Sequence, residues 1–240
     1  MKLLIVRHAD PDYERDSLTP AGEKEAEALA EYLKNVPIDY AYLSPLGRAQ
    51  KTASYTLQAK HMTGETCPWL TEFTYLVKHP DTQKDVLIWD FLPSVYRRYP
   101  AMFDKDQWKE VDFIKNSIVS KEYDNVTNSL DALLKRHGYV RDGLLYRAEK
   151  SNTDTIAFFC HFGLESMLLS HLLNIAPASL SHNFCALPSA ITEVVTEERE
   201  EGTVQFRTLC FGGTPHLALK GLQPSFSARF CETFDSPDRH

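Results

Sequence analysis

Residues 3–11 read LLIVRHADP. The apolar run Leu3 to Val6 has the length and composition of a buried strand, and it is followed at once by Arg7, His8, Asp10 and Asp12. A cation and an imidazole therefore stand where an interior strand ends. In parallel sheets that is the side on which ligands bind.

Working outward, Thr19 is placed to cap a helix with Pro20 at its first position, and Ala26, Leu29, Ala30 and Leu33 recur at helical spacing. After Pro37, residues 38–43 read as a second strand that reaches Ser44 and Pro45. A second helix follows from Leu46 to about Leu57, with Arg48 in its first turn. Alternating strand and helix favours crossover units and a largely parallel sheet.

Residues 76–119 differ in texture, with Trp89, Phe91, Tyr96, Tyr99, Phe103, Trp108 and Phe113 scattered among charges. We read one domain over residues 1–240 with residues 76–122 as an inserted cap, and expect helices near 86–96 and 107–120. The aromatics are expected to seal the cap, one or two of them lining a substrate pocket.

The pattern sharpens again at Val126, Leu130, Leu133 and Leu134, a helical stripe ended by Gly138. A short extended piece is expected at 144–146, and residues 155–160, TIAFFC, read as an interior strand delivering His161. Gly163 marks the turn into a helix whose apolar repeat includes His171, read as a core residue. Residues 191–196 and 204–209 read as an antiparallel hairpin at a sheet edge, joined by a solvated acidic turn over 197–202. The tail after Gly212 shows no readable element.

Three separate segments, Arg7-His8, Ser44 to Arg48 and His161, thus point charged or nucleophilic groups toward the ends of strands. Phosphate explains the collection. A guanidinium offers paired hydrogen bonds to phosphoryl oxygens, and a neutral imidazole can attack phosphorus when an acceptor holds its other nitrogen as N–H.

The formal charge of −7 argues against a general nucleic-acid surface. The charged Arg7-His8 pair is unlike a secretory apolar region, and no stretch approaches the roughly 20 apolar residues needed to span a bilayer. The five cysteines form no Cys-x-x-Cys pair, which fits reduced cytoplasmic thiols, with Cys160 in the core. His61 and His79 have no zinc-ligand spacing, His137 suits a helix end, and no Gly-rich nucleotide signature occurs, so neither metal nor cofactor is expected.

LLIVRHADP, LTPAGEKEAEALAEYL (18–33), YLSPLGRAQKTA (42–53), WLTEF (69–73) and IAFFCHFG (156–163) occur in an order that resembles the histidine phosphatase superfamily, also called the phosphoglycerate mutase-like family. The resemblance implies a three-layer α/β sandwich with a mainly parallel central sheet. It also implies roles. His8 matches the nucleophile that becomes a phosphohistidine, Arg7 and Arg48 the phosphate-binding arginines, and His161 the second histidine that holds phosphate and stabilises the transition state. Glu72 matches the acid that protonates the leaving oxygen, and Ser44 a supporting position.

Two departures stand out. Ala9 replaces a frequent glycine, and Asp10 would repel substrate unless it points away or pairs with a cation. The expected reaction is metal-independent hydrolysis of a small phosphorylated metabolite, releasing phosphate. A phosphomutase sharing the pocket and a noncatalytic phospho-ligand sensor are the alternatives. Nothing selects between a monomer and a homodimer formed through the hairpin or the cap.

Overall fold

The computed structural model describes residues 1–225 and 233–236, so Cys231 and Pro237 lie outside the described residues. β1 (Lys2–Arg7) grows from the apolar run and is buried from Leu3 onward. A small hairpin, β2 (Pro11–Asp12) and β3 (Ser17–Leu18), leads into α1 (Pro20–Leu33). The Thr19 hydroxyl accepts the Gly22 N–H at 3.0 Å, as the capping pattern predicts. Gly22 is required here, because a Cβ would lie 2.2 Å from the Asp10 carbonyl oxygen.

β4 (Tyr40–Leu43), α2 (Gly47–Lys60) and β5 (Glu65–Thr66) repeat the alternation. The intervening region holds β6 (Leu76–Lys78), β7 (Asp85–Leu87) and the one-turn α3 (Pro93–Tyr96), and then α4 (Ile118–Arg136) begins. β8 (Tyr139–Asp142), β9 (Leu145–Ala148), β10 (Thr155–Cys160), α5 (Phe162–Leu173) and α6 (Pro177–Ser181) follow. The chain continues with β11 (Ile191–Glu200), β12 (Thr203–Gly213) and α7 (Pro215–Leu219).

The large sheet has the order β5-β4-β10-β1-β11-β12-β9-β8. Its first four strands run parallel to one another and the rest pair antiparallel. Strand periodicity sorts the core into two layers. Leu4, Val6, Ala157 and Phe159 pack with Leu29 and Leu33 of α1 and Ala53 of α2. Leu3, Ile5, Ile156 and Phe158 face Val126, Leu130 and Leu134 of α4 and Leu164 and Leu168 of α5. Each leucine, isoleucine, valine or phenylalanine among them contributes about 1.5–3 kcal/mol on full burial. The result is a three-layer sandwich with helices on both faces.

Several local expectations are corrected. Residues 86–96 are not one helix: Asp85–Leu87 pairs antiparallel with Leu76–Lys78, Leu92, preceding Pro93, is extended, and only the single turn Pro93–Tyr96 is helical. Over 107–120 there is only a 3-10 turn at Trp108–Glu110 before Asn116 adopts φ +63° and Ser117 turns the chain into α4. The β11–β12 hairpin is interior, flanked by β1 and β9, and the edge is occupied by β8–β9. That edge hairpin turns through Gly143 at φ +59°, a position suited to glycine in a two-residue connection.

The acidic run also lies on strand rather than in a turn: Glu197 pairs with Arg207 across the hairpin at 2.7 Å, and the turn is confined to Glu201 and Gly202. His171 is not a core residue. It is partly buried and its Nε2 lies 2.9 Å from Asp131, which is how a polar ring on an apolar helix satisfies its nitrogen.

Candidate active site

β4, β10 and β1 are adjacent and parallel, so their carboxyl ends open on one side of the sheet. Ser44, His161 and the Arg7-His8 pair leave those three strands there, and Arg48 enters from the first turn of α2. All five side chains are buried.

The His8 Nδ1 lies 2.8 Å from the Ala9 carbonyl oxygen. A carbonyl only accepts, so Nδ1 carries the proton and Nε2 keeps its lone pair. Burial, and then the positive charges of Arg7 and Arg48, push the His8 pKa well below the usual histidine value. The ring is therefore neutral at neutral pH, the form able to attack.

The His8 and His161 rings are 5.1 Å apart, centroid to centroid. His161 Nε2 lies 2.7 Å from the Ser44 hydroxyl, and that oxygen also accepts the Leu46 N–H at 3.2 Å. The hydroxyl retains its own proton for Nε2, and when it donates there the His161 proton sits on Nδ1. Nδ1 has no partner, and neither does Nε of Arg7 or of Arg48, although all three atoms are buried. Three donors from three elements are left with unspent hydrogen-bonding capacity, which is costly unless an acceptor serves them. Burial, followed by His8, Arg48 and Arg7, lowers the His161 pKa well below its ordinary value.

Glu72 approaches from the loop after the 3-10 turn at Pro68–Leu70. Its Oε1 accepts the backbone N–H of Phe73 at 2.8 Å and of Leu164, in the first turn of α5, at 3.0 Å. Burial raises its pKa, against the opposing pull of those N–H groups and the two arginines. Gly163 makes the approach possible, since a Cβ there would lie 2.7 Å from Glu72 Oε1 and 2.9 Å from Trp89 Nε1. Trp89 in turn donates to the Phe73 carbonyl at 2.9 Å.

Asp10 accepts the Thr19 hydroxyl at 2.6 Å and the Ser225 hydroxyl, while its N–H donates to Glu25 at 2.8 Å. It thereby ties the start of α1 to the nucleophile loop. The Ala9 methyl packs with Leu18 and Ala26, and its N–H donates to Thr52 at 3.0 Å. The extra carbon relative to glycine thus has an apolar berth.

Four contributors were not singled out from the sequence. Asp16, at φ +46°, accepts the Arg48 guanidinium at 2.7 Å and the Gly47 N–H at 2.6 Å. Burial acts to raise its pKa, but the Gly47 N–H and Arg48 outweigh it and hold the carboxyl below its ordinary value. No local pattern ties Asp16 to Arg48, which lies in another element. Glu165, buried one turn beyond His161, has its pKa pushed up to about 7 by burial, against a hydrogen bond from Thr192 and the charge of Arg7. A lone carboxyl in the apolar helix of residues 162–173 was its available signal. Ser189 donates its N–H to the His8 carbonyl at 3.0 Å, and its hydroxyl lies 2.9 Å from Nε2 of the buried His216. These last two residues brace the end of β1.

A recess of about 630 Å³ between the β6–β7 hairpin and residues 112–118 contains none of these groups. The candidate site is the strand-end cluster.

Residues 3–86 match the family model described as histidine phosphatase superfamily (branch 1). That match spans the first strands and helices of the chain, and the likeness of fold extends over nine-tenths of its length. It is similar to a phosphoserine phosphatase mutant from Entamoeba histolytica solved with phosphoserine, at TM-score 0.60 and 20% identity, covering 90% of this chain and 98% of that one. A mycobacterial glucosyl-3-phosphoglycerate phosphatase gives TM-score 0.55 at 15% identity, covering 88% and 98%. A putative α-ribazole-5′-P phosphatase from Escherichia coli gives 0.54 at 19%, covering 89% and 98%. At such identities the likeness is one of fold. No curated protein matches the chain. Among the described residues, no helix is long and apolar enough to cross a membrane.

Proposed function

We propose that the protein hydrolyses phosphate monoesters of small metabolites through a phosphohistidine on His8. The observation that carries this reading is the tautomer set by Ala9, with Nδ1 donating to the carbonyl and Nε2 left to attack, beside three buried donors without partners. Those donors have the chemistry to receive phosphoryl oxygens, and oriented dipoles of this kind stabilise charge without reorganising during the reaction.

In the first step a bond forms from His8 Nε2 to phosphorus as the ester P–O bond breaks, and protonated Glu72 gives its proton to the leaving oxygen. In the second step Glu72, now a carboxylate, takes a proton from water as the water oxygen attacks phosphorus. The P–N bond breaks and inorganic phosphate departs. Arg7, Arg48 and His161 hold the phosphoryl oxygens in both steps, and residues 76–122 serve as the cap over the leaving group, with Trp89 its contribution beside Glu72.

The test is to mix the protein with a ³²P-labelled monoester and quench. An acid-labile phosphoenzyme should appear, with free phosphate as the product, and His8→Ala should lose both. Normal turnover by His8→Ala would overturn the mechanism, and an isomerised phosphoester in place of free phosphate would identify a mutase.

A further inference from the structure

Each charged group of the candidate site has a partly exposed aromatic ring beside it. Tyr13, in the β2–β3 loop and 64% exposed, lies under the Arg48 guanidinium, 5.3 Å from Cζ to ring centroid. Phe162, the first residue of α5, lies 6.0 Å from the Arg7 Cζ. Trp89, from the cap, shares with Glu72 the space above Gly163. The three rings come from three separate segments and flank the two phosphate-binding candidates and the candidate acid.

Core packing does not account for Tyr13. It is among the most exposed large side chains of the described residues, and the arginine it faces occupies only one side of the ring. An exposed ring beside a polar site is available to bury itself against a second flat surface.

Charge narrows the choice further. Asp16 reaches the same opening, with its side chain 42% exposed and its carboxylate on Arg48. A leaving group carrying its own carboxylate would meet that negative charge at short range, whereas an uncharged ring would not. Glu72, which is to protonate the leaving oxygen, has the Trp89 indole as its neighbour above Gly163.

We propose that the preferred substrate is a small phosphate monoester whose alcohol portion carries an uncharged aromatic or heteroaromatic ring, received between Tyr13 and the Trp89 side of the cap. This rests on the hydrolase reading above and names its substrate class.

The test compares benzyl phosphate with propyl phosphate. Both leave as primary alkoxides of similar basicity, so their kcat/KM ratio reports recognition rather than leaving-group reactivity. The wild-type ratio should favour the benzyl ester by about tenfold, as expected for stacking plus apolar burial. Tyr13→Ala should bring the ratio close to unity, and Tyr13→Phe should preserve it.

Equal kcat/KM for the two esters in the wild type would overturn the inference while leaving the phosphohistidine mechanism intact. So would a Tyr13→Ala loss that is the same for both, because it would assign Tyr13 to Arg48 alone. Absence of a phosphoenzyme with either ester would remove the hydrolase reading and this inference together.

Discussion

The Ser44 hydroxyl lies 2.7 Å from His161 Nε2, joining the end of β4 to the end of β10 across 117 positions of sequence. When Ser44, which also accepts the Leu46 N–H, donates its proton to the imidazole, the opposite ring nitrogen becomes a donor toward the proposed phosphate position. Ser44→Ala should remove that instruction without emptying the pocket of charge. Steady-state assays should show kcat/KM reduced about 10- to 100-fold, at the lower end of what loss of a transition-state donor costs. Unchanged kcat/KM would mean that His161 is oriented by something else.

Gly163→Ala addresses the acid. The new Cβ would stand 2.7 Å from Glu72 Oε1, so Glu72 must move, and a displacement of about 1 Å at a reacting group costs about 100-fold. The loss should be large for alkyl esters, whose leaving oxygens need protonation, and small for p-nitrophenyl phosphate. An equal loss on both, with a native circular dichroism spectrum, would remove Glu72 from the acid role.

The pH profile follows from the same two groups. His8 must be neutral, and its pKa is depressed, so the acidic limb of kcat/KM should fall well below the ordinary histidine value of about 6.5. Glu72 must be protonated in the first step, and its pKa is raised above 4.5, so activity should decline as pH rises through that elevated value. Glu72→Gln should lower the plateau and abolish the alkaline limb. Persistence of that limb in the variant would assign it to another group.

Asp16 fixes Arg48 from outside its own helix. Asp16→Ala frees the guanidinium and removes the anion at the start of α2, a site where a negative charge is worth about 0.3–1 kcal/mol. We expect KM to rise about tenfold with a smaller change in kcat, and Asp16→Asn, which keeps an acceptor for Gly47, to be milder. Steady-state kinetics on one alkyl ester decide it: a fall in kcat with constant KM would contradict the positioning role.

Stability should also report the buried carboxyl of Glu165. Its pKa is about 7 in the folded protein against 4.5 in its absence. Between those values the unfolded chain has lost the proton that the folded one retains, so this group's contribution falls as pH rises through the window and levels off above pH 7. Glu165→Gln should match the wild type near pH 4.5 and exceed it at pH 8, by on the order of 1–3 kcal/mol in urea unfolding. Equal differences at the two pH values would show that Glu165 is not protonated in the native state.

Much of the frame was legible in local pattern. The apolar runs before His8 and His161 and the Thr19-Pro20 cap are short-range signals, and each became the element it indicated. The gathering of Arg7, His8, Ser44 and His161 at the strand ends followed, because residue order alone places them where parallel strands finish. What stayed hidden was pairing between distant segments, as in Ser44 with His161 or Asp16 with Arg48. The helices expected over 86–96 and 107–120 are realised only as short turns at Pro93–Tyr96 and Trp108–Glu110 and the first residues of α4, for a different reason. Aromatic and charged residues are mixed there without a period, and Pro93 and the left-handed Asn116 interrupt the backbone. The β8–β9 edge was half visible, in that Asp142-Gly143 is a hairpin signal that one strand expectation overlooked.

The brace behind His8 bears on when the protein becomes competent during synthesis. The backbone on either side of the nucleophile is tied to Ala190 and Ser189, and the Ser189 side chain to His216. β1 leaves the ribosome well before Ser189, Ala190 and His216, which set its end, have been made. A chain stalled at about residue 185 would carry Arg7, His8, Arg48, Glu72 and His161 and still lack the support behind the nucleophile. The ordering of the backbone around His8 is thereby deferred until the chain has been made through His216.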